Sequence, residues 1–150
     1  MIQLHKLFAG CFGIGYLKGG GSIAAAAVCA LWYFLLINSG AGNIPVIITS
    51  VITAAGIWSA NHVEKDWGKD SSRVVIDEAA GMCISLLFVP VTTVHVVIAF
   101  VLFRFFDILK PLFIRRTEAL PGGWGVMMDD IVAGVYSNLV LQLLIYVAHI

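Results

Sequence analysis

Apolar positions in this chain come in long blocks separated by short polar interruptions. From Gly21 to Ile37 the residues are apolar and rich in alanine, which suits close helix packing in a bilayer. Asn38-Ser-Gly-Ala-Gly-Asn43 reads as a turn, and Ile44 to Ala60 as a second block. Both blocks are near the ~20 residues that a hydrocarbon core demands of a helix. Asn61 to Arg73 is polar and of mixed charge, a solvated loop or a helix extension. The apolar run from Ala79 to Phe106 is interrupted at Pro90-Val-Thr-Thr-Val-His95, where proline and threonine suit a tight turn. The last block is Asp130 to Val147. Met1 to Gly20 contributes an amphipathic start carried by Ile2, Leu4, Leu7 and Phe8, then a glycine-rich run.

Composition decides what these blocks are. The 150 residues are 60% hydrophobic and 12% charged, with a mean hydropathy of +0.96. Soluble domains are about a quarter charged, and few could hide this much apolar surface. The expected fold class is therefore all-α: a single polytopic transmembrane helix bundle over residues 1–150. Charge sets the number of spans. A break near Pro90 gives five, with the N-terminus, the loop at 61–78 and the loop at about 104–129 on one side. All nine lysines and arginines (Lys6, Lys18, Lys65, Lys69, Arg73, Arg104, Lys110, Arg115, Arg116) then share that side. A single span there would split them, so the positive-inside bias favours five spans and a cytoplasmic N-terminus. The first block is too long for a cleaved signal peptide and lacks a small-residue cleavage site. A formal charge of zero leaves no nucleic-acid footprint. Cys11, Cys29 and Cys83 show no metal-ligand spacing, and no Cys-x5-Arg loop supports a cysteine phosphatase.

The chemistry lies in acids set against apolar sequence. Asp129 and Asp130 stand where a glycine-rich loop, Gly122-Gly-Trp-Gly125, gives way to the last block. Adjacent carboxylates repel unless they face water or hold a cation, and hard cations such as Mg2+ prefer carboxylate oxygens. One such Asp would read as a helix cap; a pair asks for more. Asp77 and Glu78 form a second pair at the head of the third block. On a helix, Asp77, Gly81 and Ser85 share a face, as do Asp130, Gly134, Ser137 and Asn138. Each is a small, polar stripe headed by an acid. Arg104, Asp107 and Lys110 cluster where the fourth span ends at Pro111, and a guanidinium fork and an ammonium are what a phosphate needs. The run Leu17-Lys-Gly-Gly-Gly-Ser22 opens the first span, either as a flexible loop or as a phosphate cradle at a helix N-terminus. His5, His62, His95 and His149 share no spacing with the acids, and no catalytic role is expected of them. A cation-coupled transporter is the rival reading of the acidic cluster. Transporters place such sites near the midplane in repeated, broken helices, and no repeat occurs in this chain.

At three blocks the chain resembles the bacterial phosphatidylglycerophosphatase A family. They are Ile76-Asp-Glu-x-x-Gly81, Phe103-Arg-x-x-Asp-x-x-Lys-Pro111 and Gly122-Gly-x-Gly-x-Met-x-Asp-Asp-x-x-Ala-Gly134. The resemblance covers essentially the whole chain. It implies Mg2+-dependent hydrolysis of phosphatidylglycerophosphate to phosphatidylglycerol at the cytoplasmic face of a bacterial inner membrane. It further implies that Asp77, Glu78, Asp129 and Asp130 hold Mg2+, with Asp107 a further ligand or the partner of Arg104. Arg104 and Lys110 would bind the phosphomonoester. The family's N-terminal block usually carries Pro and Thr; here Lys18, Ser22 and the backbone remain as phosphate contacts.

Overall fold

The computed structural model describes residues 2–37, 42–69, 71–111, 113–117 and 119–149. Within them the chain is helical. Helix α1 is Ile2–Ala9, followed by a kinked 3-10 segment, Cys11–Tyr16. The long helices are α2 (Gly20–Leu36), α3 (Ile44–Trp67), α5 (Thr93–Leu109) and α7 (Gly123–Ala148). Two short ones intervene, α4 (Ile76–Ser85) and α6 (Ile114–Thr117). Residues 38–41 of the turn expected at Asn38–Asn43, and Asp70 of the polar stretch, lie outside the described residues.

Helices α2, α3, α4, α5 and α7 alternate in direction, so the bundle has two distinct ends. At one end the start of α2 meets the start of α4, and Asn61 near the end of α3 receives the first amide of α7, with Gly123 N donating to Asn61 Oδ1 at 2.6 Å. At the other end Thr93 at the start of α5 reaches Tyr33 in the last turn of α2, with its hydroxyl donating to Tyr33 Oη at 3.3 Å. The break near Pro90 is real and well capped. Thr92 accepts from His95 N at 3.1 Å, and His95 Nδ1 lies 2.8 Å from the Pro90 carbonyl.

The five-span expectation is not supported. Only α3 and α7, among the described residues, are long and apolar enough to cross a bilayer. Helices α2 and α5 have 17 residues each, and α4 has 10. At 1.5 Å per residue α4 reaches only about 15 Å, half the hydrocarbon thickness. Charge placement fixes which side a loop occupies and says nothing of how far the intervening helix extends. Helix α4 therefore ends inside the bundle, where its last carbonyls have no water to bond. Asn138 of α7 supplies the donors. Its Nδ2 bonds Ser85 O at 3.1 Å and Leu87 O at 2.7 Å, while its own carbonyl accepts from Gln142 at 2.6 Å. Asn138→Leu should leave both carbonyls stranded, at about 1–3 kcal/mol apiece. A thermal unfolding midpoint in detergent equal to wild type would show that water or lipid takes over instead.

One helix end decides between the two alternatives left for the polar stretch, and one helix start differs from expectation. Helix α3 runs on through the polar stretch to Trp67, where Lys6 of α1 pairs with Asp66 at 2.7 Å. Helix α7 starts at Gly123, so Asp129 and Asp130 lie well inside it rather than at its mouth. The glycines explain that shift. Gly122 turns the chain at φ 61°, and a Cβ on Gly123 would sit 2.6 Å from the Ile57 carbonyl, so the first turn of α7 nests on α3.

Candidate active site

The two polar stripes are what bring the acids together. Gly81 and Gly134 face one another where α4 crosses α7, and a Cβ on Gly134 would overlap the Gly81 carbonyl. A Cβ on Gly81 would approach the Asp130 carbonyl to 2.6 Å. Ser85 completes the contact, its hydroxyl donating to Gly81 O of its own helix at 3.0 Å and reaching Gly134 O of α7 at 3.5 Å, and Ser137 donates to Ala99 O of α5 at 3.2 Å. Asp77 and Asp130 each stand one turn before these glycines, so the close crossing carries the two carboxylates to the same place. Glu78 joins from the adjacent position, with its carboxylate lying against Gly21 of α2, where any side chain would collide with it. Each of Asp77, Glu78 and Asp130 offers one oxygen within 4.8 Å of the others. Asp77 and Asp130 are buried and Glu78 half-buried.

These residues fit a hard cation. Asp77 Oδ1 and Glu78 Oε2 are buried and have no hydrogen-bond partner. Three converging carboxylates inside an apolar bundle repel one another, and a divalent cation between them removes that cost. The donors are all oxygen, which suits Mg2+, Ca2+ or Mn2+ rather than softer metals. The remaining two acids of the expected five adjoin this group and carry cations of their own. Asp107 forms a short ion pair with Arg104. Asp129 pairs with Lys110 at 2.6 Å. Both acids act electrostatically on Asp130. The sequence placed Lys110 beside Asp107, one turn along α5. Lys110 instead caps α5 in a left-handed conformation, φ 44°, which swings its ammonium across to α7.

Beside the acids lies a cleft of about 640 Å³. Its walls are the 15–22 run, with Lys18 and Ser22, together with Ser72, Arg73, Glu78 and Arg104. Glu78 and Arg104 thus belong to both the cleft and the acidic neighbourhood. The Nε of Arg104 is buried without a partner, leaving one donor uncommitted. Lys110 is not among the cleft's walls. Arg73 and Ser72 are the site residues that sequence reasoning missed, because the mixed-charge stretch around them resembles an ordinary solvated loop. The Arg73 guanidinium stands over the rings of Tyr16 and Trp67, at 5.8 and 5.9 Å from their centroids. Its backbone carbonyl packs against Gly15 with no room for a Cβ. The glycine run is thus pinned to the segment that leads into Asp77. Gly15 was the legible clue, although nothing local says what it packs against.

The other nucleophile and base candidates stand apart. Burial chiefly, with the Glu78 charge second, pushes the Cys11 thiol up to about 11, far from a reactive thiolate. His5 stacks on His62 with ring centroids 4.1 Å apart, and His95 lies at the opposite end of the bundle. The group of converging ligands among the described residues contains no histidine.

A cluster of acids able to hold a cation beside a basic cleft, in an apolar helix bundle with two helices long enough to cross a bilayer, is the kind of arrangement a membrane phosphatase requires. The chain belongs to the phosphatidylglycerophosphatase A family, whose model matches residues 7–145. A Bacteroides thetaiotaomicron protein described as a putative phosphatidylinositol-3-phosphatase is 45% identical over 124 residues, 81% of this chain and 78% of its own length. The phosphatidylglycerophosphatase A of Haemophilus influenzae is 35% identical over 142 residues, covering 92% and 86% of the two chains. That of Escherichia coli is 34% identical over 120 residues, covering 78% and 69%. No solved structure matches the chain.

Proposed function

We propose that this protein hydrolyses the terminal phosphomonoester of phosphatidylglycerophosphate, releasing phosphatidylglycerol and phosphate, with Mg2+ held by Asp77, Glu78 and Asp130. The observation that carries the reading is the convergence of three carboxylates, two of them with unpartnered oxygens, beside a cleft lined by Lys18, Arg73 and Arg104. Membership of the family supplies the substrate. When bound, Mg2+ would neutralise the acids and polarise an oxygen of the transferring group.

The chain's own residues do the positioning, which is most of what phosphoryl transfer asks of a site. Arg104 offers its fork to two phosphate oxygens, and Asp107 holds that fork in place. Lys18, Ser22 and the first amides of α2 receive the remaining oxygens, where the helix dipole favours negative charge. Arg73 stands at the rim over Tyr16 and meets the headgroup as it enters. Lys110 holds Asp129 beside the cluster, ready to orient a metal-bound group. Overall, water adds to phosphorus, the ester P–O bond breaks, and the lipid alkoxide leaves carrying a proton.

A phosphoinositide headgroup is the second reading, favoured by the Bacteroides relative's description. Phosphate release from phosphatidylglycerophosphate, phosphatidylinositol 3-phosphate and phosphatidate, compared at equal surface concentration, decides between them. The expected order puts phosphatidylglycerophosphate first, and a faster phosphoinositide would reverse the assignment.

The same reading sets the protein in the inner membrane with its N-terminus and active site cytoplasmic. Lys18, Arg73, Arg104 and Lys110 all lie at the acid-bearing end of the bundle, as the positive-inside bias requires of a cytoplasmic end. Single cysteines at Lys69 and Arg115, in a background free of the native three, should label from the cytoplasmic side alone. Labelling of the two from opposite sides would contradict this orientation.

A further inference from the structure

Next to the polar cleft lies a second cavity of different character, an apolar groove of about 340 Å³ between α2, α3 and the 3-10 segment. Phe12 and Ile14 cover it, Ala27 and Leu31 form one wall, and Ile76 and Ala79 form its inner end. Cys11 is the most polar side chain that lines it. We infer that this groove seats an acyl chain of the lipid whose phosphoryl headgroup occupies the cleft; the inference rests on the lipid-phosphatase reading above.

Adjacency of the two cavities argues for the substrate's own tail rather than any other occupant. They lie on opposite sides of the same two backbone segments. Ile14 lines the groove and Gly15 the cleft; Ala79 lines the groove and Glu78 the cleft. Helix α2 contributes to both in register. Its first turn, with Gly21 and Ser22, faces the cleft, and Ala24, Ala27, Val28 and Leu31 then continue as one helical stripe along the groove. From Ala24 to Leu31 the stripe runs about 10 Å. The alanines make the hollow, since larger residues at those positions would fill it. The ligand that matches a cationic cleft beside an apolar groove is an anionic amphiphile. The site then reads the ester and the start of the tail together, and binding energy from the tail helps to hold the phosphate against the acids.

Short-chain substrates kept below their critical micelle concentration separate the groove from general attraction to a lipid surface. The series comprises glycerol 3-phosphate, with no tail, and the dibutanoyl, dihexanoyl and dioctanoyl forms of phosphatidylglycerophosphate. Wild-type kcat/KM should climb roughly tenfold with each two-carbon extension, as burial of successive methylenes predicts. Ala27→Phe plugs the channel and should flatten that climb, leaving the rate on glycerol 3-phosphate at the wild-type value. Leu31→Ala, which adds no bulk, should lower only the dioctanoyl rate, towards the dihexanoyl one. A wild-type rate independent of chain length, with phosphate still released, overturns the groove assignment and leaves the phosphatase standing. So does a slope that survives in folded Ala27→Phe. If that variant instead changes the oligomeric state with the slope intact, a second copy of the chain covers the groove. Release of no phosphate from any of the four sinks the phosphatase reading itself, and the groove's role with it.

Discussion

Asp130→Asn should leave the protein folded and remove most of its phosphatase activity. The side chain is only 3% exposed, and Asn keeps its shape, so packing against α4 survives. One of three converging negative charges disappears, which relieves repulsion in the cation-free protein. The thermal midpoint measured in EDTA should therefore hold or rise. Turnover should fall by at least about a hundredfold, because even residues that merely orient a metal ligand typically cost 10–100-fold. Excess Mg2+ should recover part of the loss if the ligand contributes affinity, and none if it also aligns the phosphoryl group. Either way the stabilisation of wild type by added Mg2+ should shrink in the variant. Wild-type turnover at ordinary Mg2+ would remove Asp130 from the site.

Arg104→Lys should cost nearly as much, for a different reason. Its guanidinium pairs with Asp107 and still has a buried Nε without a partner. Lysine keeps the positive charge and loses the planar fork, so it cannot hold Asp107 and two phosphate oxygens together. If the contact strengthens as charge shifts onto those oxygens, kcat falls along with kcat/KM. Loss of one such preorganised donor typically costs about 10²–10³-fold in kcat. A purely structural arginine behaves otherwise. Arg104→Lys would then be almost silent, and Arg104→Ala would lower the thermal midpoint while sparing kcat. Wild-type kcat in a folded, monodisperse Arg104→Lys would take the phosphate away from this residue.

What the sequence made legible was local. Helical spacing placed Asp77 with Gly81 and Ser85, and Asp130 with Gly134, Ser137 and Asn138, and both stripes exist. The spacing could not say that the stripes would face each other, and that crossing is what merges the acids into one site. The turn at Pro90 was legible because proline and a Thr cap are local chemistry. The depth of the helix before it was not. Its end is tolerable only because Asn138, some 50 residues away, bonds its carbonyls. Lys110 illustrates the same limit. Spacing on an ideal helix pairs it with Asp107, but a left-handed terminal residue redirects it to Asp129. Arg73 went unnoticed for the opposite reason. Its neighbours are those of any solvated loop, and only the packing of Gly15 on its carbonyl draws it to the cleft.

We propose that a cation held by Asp77, Glu78 and Asp130 drives the lipid-phosphatase activity of this helix bundle. Phosphate release from phosphatidylglycerophosphate by the purified protein, assayed in EDTA and again after Mg2+ is restored, tests it most directly. No release is expected in EDTA and full recovery with Mg2+, in wild type but not in Asp130→Asn. Undiminished release in EDTA, or cation uptake into vesicles with no phosphate released from any lipid, would contradict it.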